Sequence, residues 1–296
     1  GGHVRPDGDC VGSCMGLRQY ITENYPDKKV TVYLEEIPDS FQFLKGTEEI
    51  RSEIPENKVY DLFICLDCGD KGRLGFSAPL FEQAAYTFCV DHHISNVSLI
   101  RPDASSTSEL VYELLDKKRI SKETAEALYL GIVHDTGVFQ YSCTSPDTMR
   151  AAAVLMEKGI NAPEIIHDTF YEKTYNQNQI LGHALLESIL LLDGQCIATY
   201  VRQKEMEFYG VKPKDLEGIV SQLRNTKDTK VAIFMYELKL NEFKVSLRSN
   251  DDVDVSKIAQ YFGGGGHKKA AGFTMTGQPF DVLNNVSAQI VAQLEE

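Results

Sequence analysis

Several apolar runs in this chain end on acids and imidazoles, and that recurrence constrains the fold more than any other feature. "DLFICL" runs into Asp67, "YTFCV" into Asp91, His92 and His93, and "LYLGIV" into His134 and Asp135. A buried strand that closes on such groups needs partners for them, because buried charges are paired or neutralised. In an open parallel sheet, ligands sit outside the carboxyl ends of the strands. Strand ends far apart in sequence therefore converge on one crevice. The opening stretch "HVRPDGD" adds His3, Asp7 and Asp9, as the end of a strand expected ahead of Gly1.

The same runs set the fold class. "KVTVYL", "YDLFICL", "YTFCV" and "LYLGIV" read as continuous apolar strands, and amphipathic or capped stretches such as "GSCMGLRQYITENY", "STSELVYELLDKK", "PDTMRAAAVLMEKGIN" and "SKETAEALYLGIV", the last with an imperfect helix start at Ser121 and Thr124, lie among them. Apolar strands alternating with helices indicate an α/β fold with a mostly parallel sheet covered on both faces. "YNQNQILGHALLESILLLDG" reads as a long linker helix over about 175–192. After Gly194 the texture changes to the strands "QCIATYVR", "KVAIFMYELKL" and "EFKVSLRS", with "LNEF" as a turn and "PFDVLNNVSAQIVAQLEE" as a terminal helix. The chain is long enough for two domains, expected at 1–185 and 186–296, the second a smaller mixed α/β domain across a cleft from the first.

A net charge of −13 argues against a long grip on nucleic acid, which needs a basic track to displace counterions. A short anionic substrate remains accessible if metals or a few Arg and Lys supply positive charge locally. The apolar runs fall short of the roughly 20 residues a membrane helix requires, so the chain reads as soluble, with no membrane partner. It begins "GGHVRPDGD", without an initiator Met or a signal-like stretch. Seven scattered cysteines do not form a secreted disulfide framework and indicate a reduced, cytoplasmic setting. Cys65 and Cys68 read as buried packing residues around Asp67.

His3, Asp7, Asp9, Asp67, His92 and Asp135 make four carboxylates and two imidazoles. Carboxylates sharing a crevice repel one another and resist ionisation there. Two divalent cations would offset this, and one Asp can bridge ions ~3.5–4 Å apart, with a water held between them activated near neutral pH. Oxygen-rich ligation with some imidazole and no thiolate suits manganese or magnesium better than structural zinc. In "PDGD", Pro6 stiffens the entry, Gly8 permits a tight loop, and Asp7 and Asp9 can turn to different ions; "VGS" then opens a helix whose N-terminus favours phosphate. Each piece has a plainer reading. Asp-Gly-Asp is commonly a turn, a strand-terminal Asp such as Asp135 often caps a helix, and adjacent histidines are often a satisfied surface pair. The coincidence of four such clusters, each at a predicted strand end, selects the joint reading.

"GGGGHKKAAG" at 263–272 lacks the patterns of a P-loop and of a dinucleotide fold. Four glycines suit a place where backbone approaches a ligand closely, with His267 as donor; the plainer reading is a hinge. Arg248, at the end of "KVSLRS", could give a charge-assisted contact to phosphate.

"HVRPDGDCVGS", "DCGD", "DHH" and "HDTG", in this order, resemble the DHH phosphoesterases. With "GGGGHKKAAG", the chain resembles their subgroup with a C-terminal DHH-associated domain, which includes nanoRNase/pAp phosphatases and soluble cyclic-dinucleotide phosphodiesterases. The resemblance implies that residues 1–185 form the catalytic domain and 186–296 the substrate-binding domain. It implies a pair of manganese ions, with magnesium or cobalt as substitutes. His3, Asp7, Asp67 and Asp135 would hold one ion, and Asp9, Asp67 and His92 the other, so that Asp67 bridges. His93 would assist phosphate binding or protonate the leaving oxygen, and Asp91 would orient its neighbours. Asn96, Arg248, His267 and the glycines Gly264, Gly265 and Gly266 would contact substrate. His134 stands where the family more often has a small residue.

The expected activity is hydrolysis of short oligoribonucleotides such as pApA, or of 3′-phosphoadenosine 5′-phosphate, with release of nucleoside monophosphates. A cyclic-dinucleotide phosphodiesterase acting on cyclic di-AMP is the alternative within enzymes, ahead of an inorganic pyrophosphatase. A nucleotide-binding sensor without catalysis is the alternative of another class. A homodimer is compatible with the sequence.

Overall fold

Leu62–Leu66 (β1), Tyr86–Asp91 (β2) and Leu99–Ile100 (β3) pair in parallel in the order β1-β2-β3. The register sets Leu66 opposite Val90, so Asp67 and Asp91 follow at the same edge of the sheet. The structure, a computed structural model, describes residues 1–56, 58–92, 99–101, 103–250 and 253–295, with backbone alone at 99 and 100. His93 and Asn96 lie outside the described residues. The chain divides into two compact units, Gly1–Glu172 and Lys173–Glu296.

In the first unit, the Gly1 amino group donates to the Ile64 carbonyl and the Gly1 carbonyl accepts from the Leu66 amide, each at 2.9 Å. This lays the chain beside β1 and brings His3 to the same end as Asp67. The helices are Gly8–Asn24 (α1), Ala78–Gln83 (α2), Thr107–Leu114 (α3), Lys122–Asp135 (α4), Pro146–Met156 (α5) and Ala162–Ile166 (α6). Phe63, Cys65 and Cys89 on one sheet face pack with Leu80 and Phe81 of α2. Leu66 and Val90 on the other join the main core with Val11 and Met15 of α1 and Leu128 and Ile132 of α4. Helices α1 and α4 touch backbone to backbone, because a Cβ at Gly12 would run into the Ala127 carbonyl and the backbone of Gly131.

Two expectations about elements fail here. "LYLGIV" is no strand but lies inside α4, the helix whose start at Ser121 is the other reading of this stretch, and "KVTVYL" contributes an isolated bridge between Tyr33 and Arg51 rather than a ladder strand. The α4 misreading has a physical cause, since Leu128, Tyr129, Leu130, Ile132 and Val133 are all essentially buried. A helix apolar on every side shows no period to separate it from a buried strand. Its start is locally encoded, for the Ser121 hydroxyl accepts from the Thr124 amide at 3.1 Å.

The second unit opens with Tyr175–Leu186 (α7), and continues through Ile189–Leu191 (β4), Cys196–Val201 (β5), Gln203–Tyr209 (α8), Ile219–Arg224 (α9), Val231–Lys239 (β6), Glu242–Ser249 (β7), Val255–Tyr261 (α10), Gly265–His267 (β8), Ala270–Thr276 (β9) and Pro279–Leu294 (α11). The expected linker helix is therefore two elements. Helix α7 stops at Leu186, and "ILL" turns back against β5 through Leu192, Asp193 and Gly194, all at positive φ. The sheet runs β4-β5-β6-β7-β9-β8, with β5 and β6 parallel and the remaining pairs antiparallel. Val231, Ile233, Met235, Val245 and Leu247 pack on one face under α10 and α11, and Ile197, Ala232 and Phe234 on the other under α7, α8 and α9. The unit is a mixed α/β domain. No helix among the described residues is long and apolar enough to cross a membrane, and all seven cysteines are free thiols.

Candidate metal centre

The first unit gathers all six acids and imidazoles of interest. Asp7 caps α1, its Oδ1 accepting from the amides of Asp9 (3.2 Å) and Cys10 (3.1 Å). The cap starts the helix at Gly8, so the second aspartate of "PDGD" sits in its first turn and is fully buried. Gly8 is required by its neighbour, because a Cβ there would overlap the His134 ring. His134 itself is packed away. Its Nε2 lies 3.0 Å from Thr169 Oγ1, its ring meets Phe41 and Phe170 edge-on, and burial lowers its pKa to about 4. It supports the loop as a neutral imidazole.

Asp67 stands at the focus. Its backbone adopts φ 52°, a left-handed conformation that Asp tolerates better than most residues. Oδ2 lies 3.3 Å from His3 Nε2, and Oδ1 lies 3.7 Å from His92 Nε2 and 3.3 Å from Thr107 Oγ1. His3 Nε2 is also 3.5 Å from Asp7 Oδ1, and His92 Nε2 is 3.1 Å from Asp135 Oδ2. His3 Nδ1 faces the Val4 carbonyl at 2.9 Å. A carbonyl only accepts, so Nδ1 carries the hydrogen and Nε2 is left to bind a cation in the neutral ring.

Three sets of donor atoms each lie within 4.8 Å of one another: His3, Cys10 and Asp67; Asp9, His92 and Asp135; and Asp67, Asp91 and His92. Asp67 and His92 each serve in two. The electrostatics agree with a site built for positive charge. Burial, then the neighbouring Asp9, pushes Asp67 up to about 7. Burial also raises Asp9, and raises Asp135 strongly with Asp9 and Asp7 nearby. Burial alone would lower His3, but its hydrogen bonds to Asp67 and Asp7 outweigh that and raise it to about 11. These groups compete for protons in place of a stronger cation. Carboxylate oxygens with two imidazoles form a donor set that fits divalent metal ions.

The sequence reading missed two contributors. Asp9 is held by the start of α3, its Oδ2 accepting from the Thr107 amide (2.6 Å) and its Oδ1 from the Ser108 amide (2.8 Å). The helix N-terminus here binds a carboxylate. A cluster of hydroxyl residues at 105–108 before Glu109 is the available signal, within the stretch expected only to be amphipathic or capped. Cys10 is the second, a fully buried thiol in the His3–Asp67 set. Gly131 of α4 closes the arrangement, since a Cβ there would run into Ser108 Oγ and Asp9 Oδ1. Gly131→Ala is therefore expected to destabilise the protein by about 1–3 kcal/mol by overpacking, read as a lower urea midpoint, with weakened metal binding by titration calorimetry.

Apart from His93 and Asn96, which lie outside the described residues, the remaining expected site residues fall in the second unit. Arg248 of β7 and His267 of β8 both lie opposite Ala270 of β9, so they flank one small residue on one sheet face. Gly265 and Gly266 begin the exposed strand β8, and Gly264 precedes it.

Comparison with known proteins places these features in a family. The N-terminal domain of the DHH family matches residues 1–132, and the DHHA1 domain matches residues 193–295. A bifunctional oligoribonuclease and PAP phosphatase of Bacillus subtilis is 26% identical over 280 residues, covering 91% of this chain and 86% of that protein. A protein of the same description from Mycoplasma genitalium is 29% identical, covering 98% and 92%. Among solved structures, an exopolyphosphatase-related protein from Bacteroides fragilis superposes with a TM-score of 0.89 at 25% identity, covering 100% of this chain and 92% of that one. The chain belongs to the DHH family, with a DHHA1 domain following its DHH domain.

Proposed function

We propose that this protein is a metal-dependent phosphoesterase that hydrolyses short oligoribonucleotides and 3′-phosphoadenosine 5′-phosphate to nucleoside monophosphates. The observation that carries the reading is Asp67, whose two oxygens face different imidazoles, Oδ2 toward His3 and Oδ1 toward His92. A carboxylate so placed suits a bridge between two cations. The relatives described as oligoribonuclease and PAP phosphatase support the substrate class.

In this reading His3, Asp7 and Asp67 hold one ion and Asp9, Asp67 and His92 the other. Asp135, assigned with His3 from the family resemblance, lies beside His92, within reach of the second set. Manganese is the proposed ion, with magnesium or cobalt as substitutes. When bound, such a pair polarises a phosphoryl oxygen and makes water nucleophilic near neutral pH. The protein's own groups do the rest. The α3 amides fix Asp9, the Val4 carbonyl fixes the His3 tautomer, and Asp91, adjoining His92, is proposed to steady that edge. His93 is proposed to protonate the leaving oxygen. Arg248 and His267, with the glycines 264–266, are proposed to hold substrate phosphate. For pApA, the oxygen of water joins phosphorus and the P–O3′ bond breaks, so both halves leave as AMP. For 3′-phosphoadenosine 5′-phosphate, the same step releases inorganic phosphate and AMP. A cytoplasmic location goes with a short-RNA substrate.

The test compares initial rates on pApA, 3′-phosphoadenosine 5′-phosphate and cyclic di-AMP with manganese. AMP from the first two at rates well above that from the cyclic compound is the expected result. Preference for cyclic di-AMP would reassign the substrate, and hydrolysis of none of the three would overturn the proposal.

A further inference from the structure

We propose that His3, Cys10 and Asp67 form a mixed nitrogen–sulfur–oxygen site that captures thiophilic divalent cations, zinc or cadmium, at a centre otherwise suited to a harder ion. The inference rests on the metal-centre reading above and adds to it a donor of different chemistry.

All three side chains are buried, at 4%, 0% and 2% exposure. Their donor atoms lie within 4.8 Å of one another, and His3 Nε2 and Asp67 Oδ2 are 3.3 Å apart. The imidazole is oriented by the Val4 carbonyl, which leaves Nε2 for a cation. The thiol is held as firmly. Cys10 lies in the capped first turn of α1, with its amide on Asp7 Oδ1. Its Sγ lies against Gly2, in the space that a Cβ at that position would need. That sulfur makes a long, weak contact with the His3 carbonyl at 3.9 Å and a side-chain hydrogen bond with Cys14 one turn on, and a metal would displace both.

Ligand softness decides what such a set prefers. Carboxylate and water suit magnesium and manganese, whereas thiolate favours zinc and its heavier congeners. On capture, the cation–sulfur bond forms as the thiol proton leaves to solvent, with no change of oxidation state. A hard ion uses the oxygens and imidazoles and leaves Cys10 protonated. The same pocket thus discriminates between classes of cation through one sulfur, and zinc becomes an inhibitor by occupation.

Cobalt(II) reports the sulfur directly, because thiolate ligation gives an intense near-ultraviolet charge-transfer band absent from oxygen and nitrogen sites. The protein is stripped with chelator and given one equivalent of cobalt. The band is expected in wild type and in Cys65→Ala, and lost in both Cys10→Ala and Cys10→Ser. Zinc and cadmium affinities in the Cys10 variants are expected to fall by at least about tenfold, with manganese affinity within about threefold of wild type. A wild-type protein that binds cobalt without the band, or a band that survives in Cys10→Ala, overturns the inference. The wild-type spectrum decides even if a variant misfolds. Failure of manganese and cobalt alike to bind wild type would instead sink the metal-centre reading.

Discussion

Asp67→Asn is expected to lower hydrolysis of pApA by about 10³-fold or more, since removing a shared ligand forfeits several kcal/mol of transition-state charge stabilisation at about 1.4 kcal/mol per tenfold. Asparagine keeps the shape and can still accept from Thr107 Oγ1, which lies 3.3 Å from the carboxylate. What it loses is the negative charge between His3 and His92. A merely structural Asp67 would make the variant unfold. The structure indicates the opposite, because burial and the neighbouring Asp9 already make this carboxylate hard to ionise. The chelator-treated variant should therefore stay folded at pH 8, because the lost pairing with His3 is offset by relief from ionising a buried carboxylate. Rates and melting curves on the same preparations separate the two roles. Activity within tenfold of wild type would remove Asp67 from the chemistry.

The sequence shows where the strand ends lie because a parallel sheet in register delivers the residue after each apolar run to a common edge. That is how Asp67 and Asp91 come together, two strands that share the Leu66–Val90 pairing. Asp135 reaches the same place by another route, at the C-terminus of a buried helix. Its location follows from the pattern while its element does not, because a helix apolar all round loses the period that would identify it. The strand–helix confusion recurs at 189–191, where three aliphatic residues follow a helix without a proline or glycine between. Other parts of the site leave little trace in the sequence at all. The amides of Thr107 and Ser108 hold Asp9, and a backbone donor has no side chain to read. Cys10 looks like one more small residue on a buried helix face until the fold sets its sulfur beside His3 and Asp67. Gly8 reads as a loop residue, whereas its positional demand comes from His134, far away in sequence.

Metal addition is expected to raise the melting temperature far more at pH 8 than at pH 5. In the chelator-treated protein Asp67 is raised from its ordinary 3.8 to about 7. A group raised on folding stabilises fully below its unfolded value and loses that contribution as pH climbs to the folded one. The Asp67 contribution therefore fades between about pH 4 and pH 7. His3, raised from 6.5 to about 11, behaves alike over a higher interval, as the pairing of its charged ring with Asp67 and Asp7 weakens. Both effects lower the stability of the chelated protein toward pH 8. Metal binding acts in the reverse sense, because it requires the ionised carboxylates and the neutral imidazole. At pH 8, with free metal about a thousandfold above its dissociation constant, linkage gives about 4 kcal/mol of stabilisation, or roughly 10 °C at about 2–4 °C per kcal/mol for a domain of this size. The His3 proton must be displaced at both pH values, but at pH 5 the ions must also displace that of Asp67, against an about thousandfold higher proton activity, and the shift should shrink to a small fraction of that. Calorimetric scans with and without manganese at the two pH values measure it, and a shift equal at both would show that these buried groups are not where the metal binds.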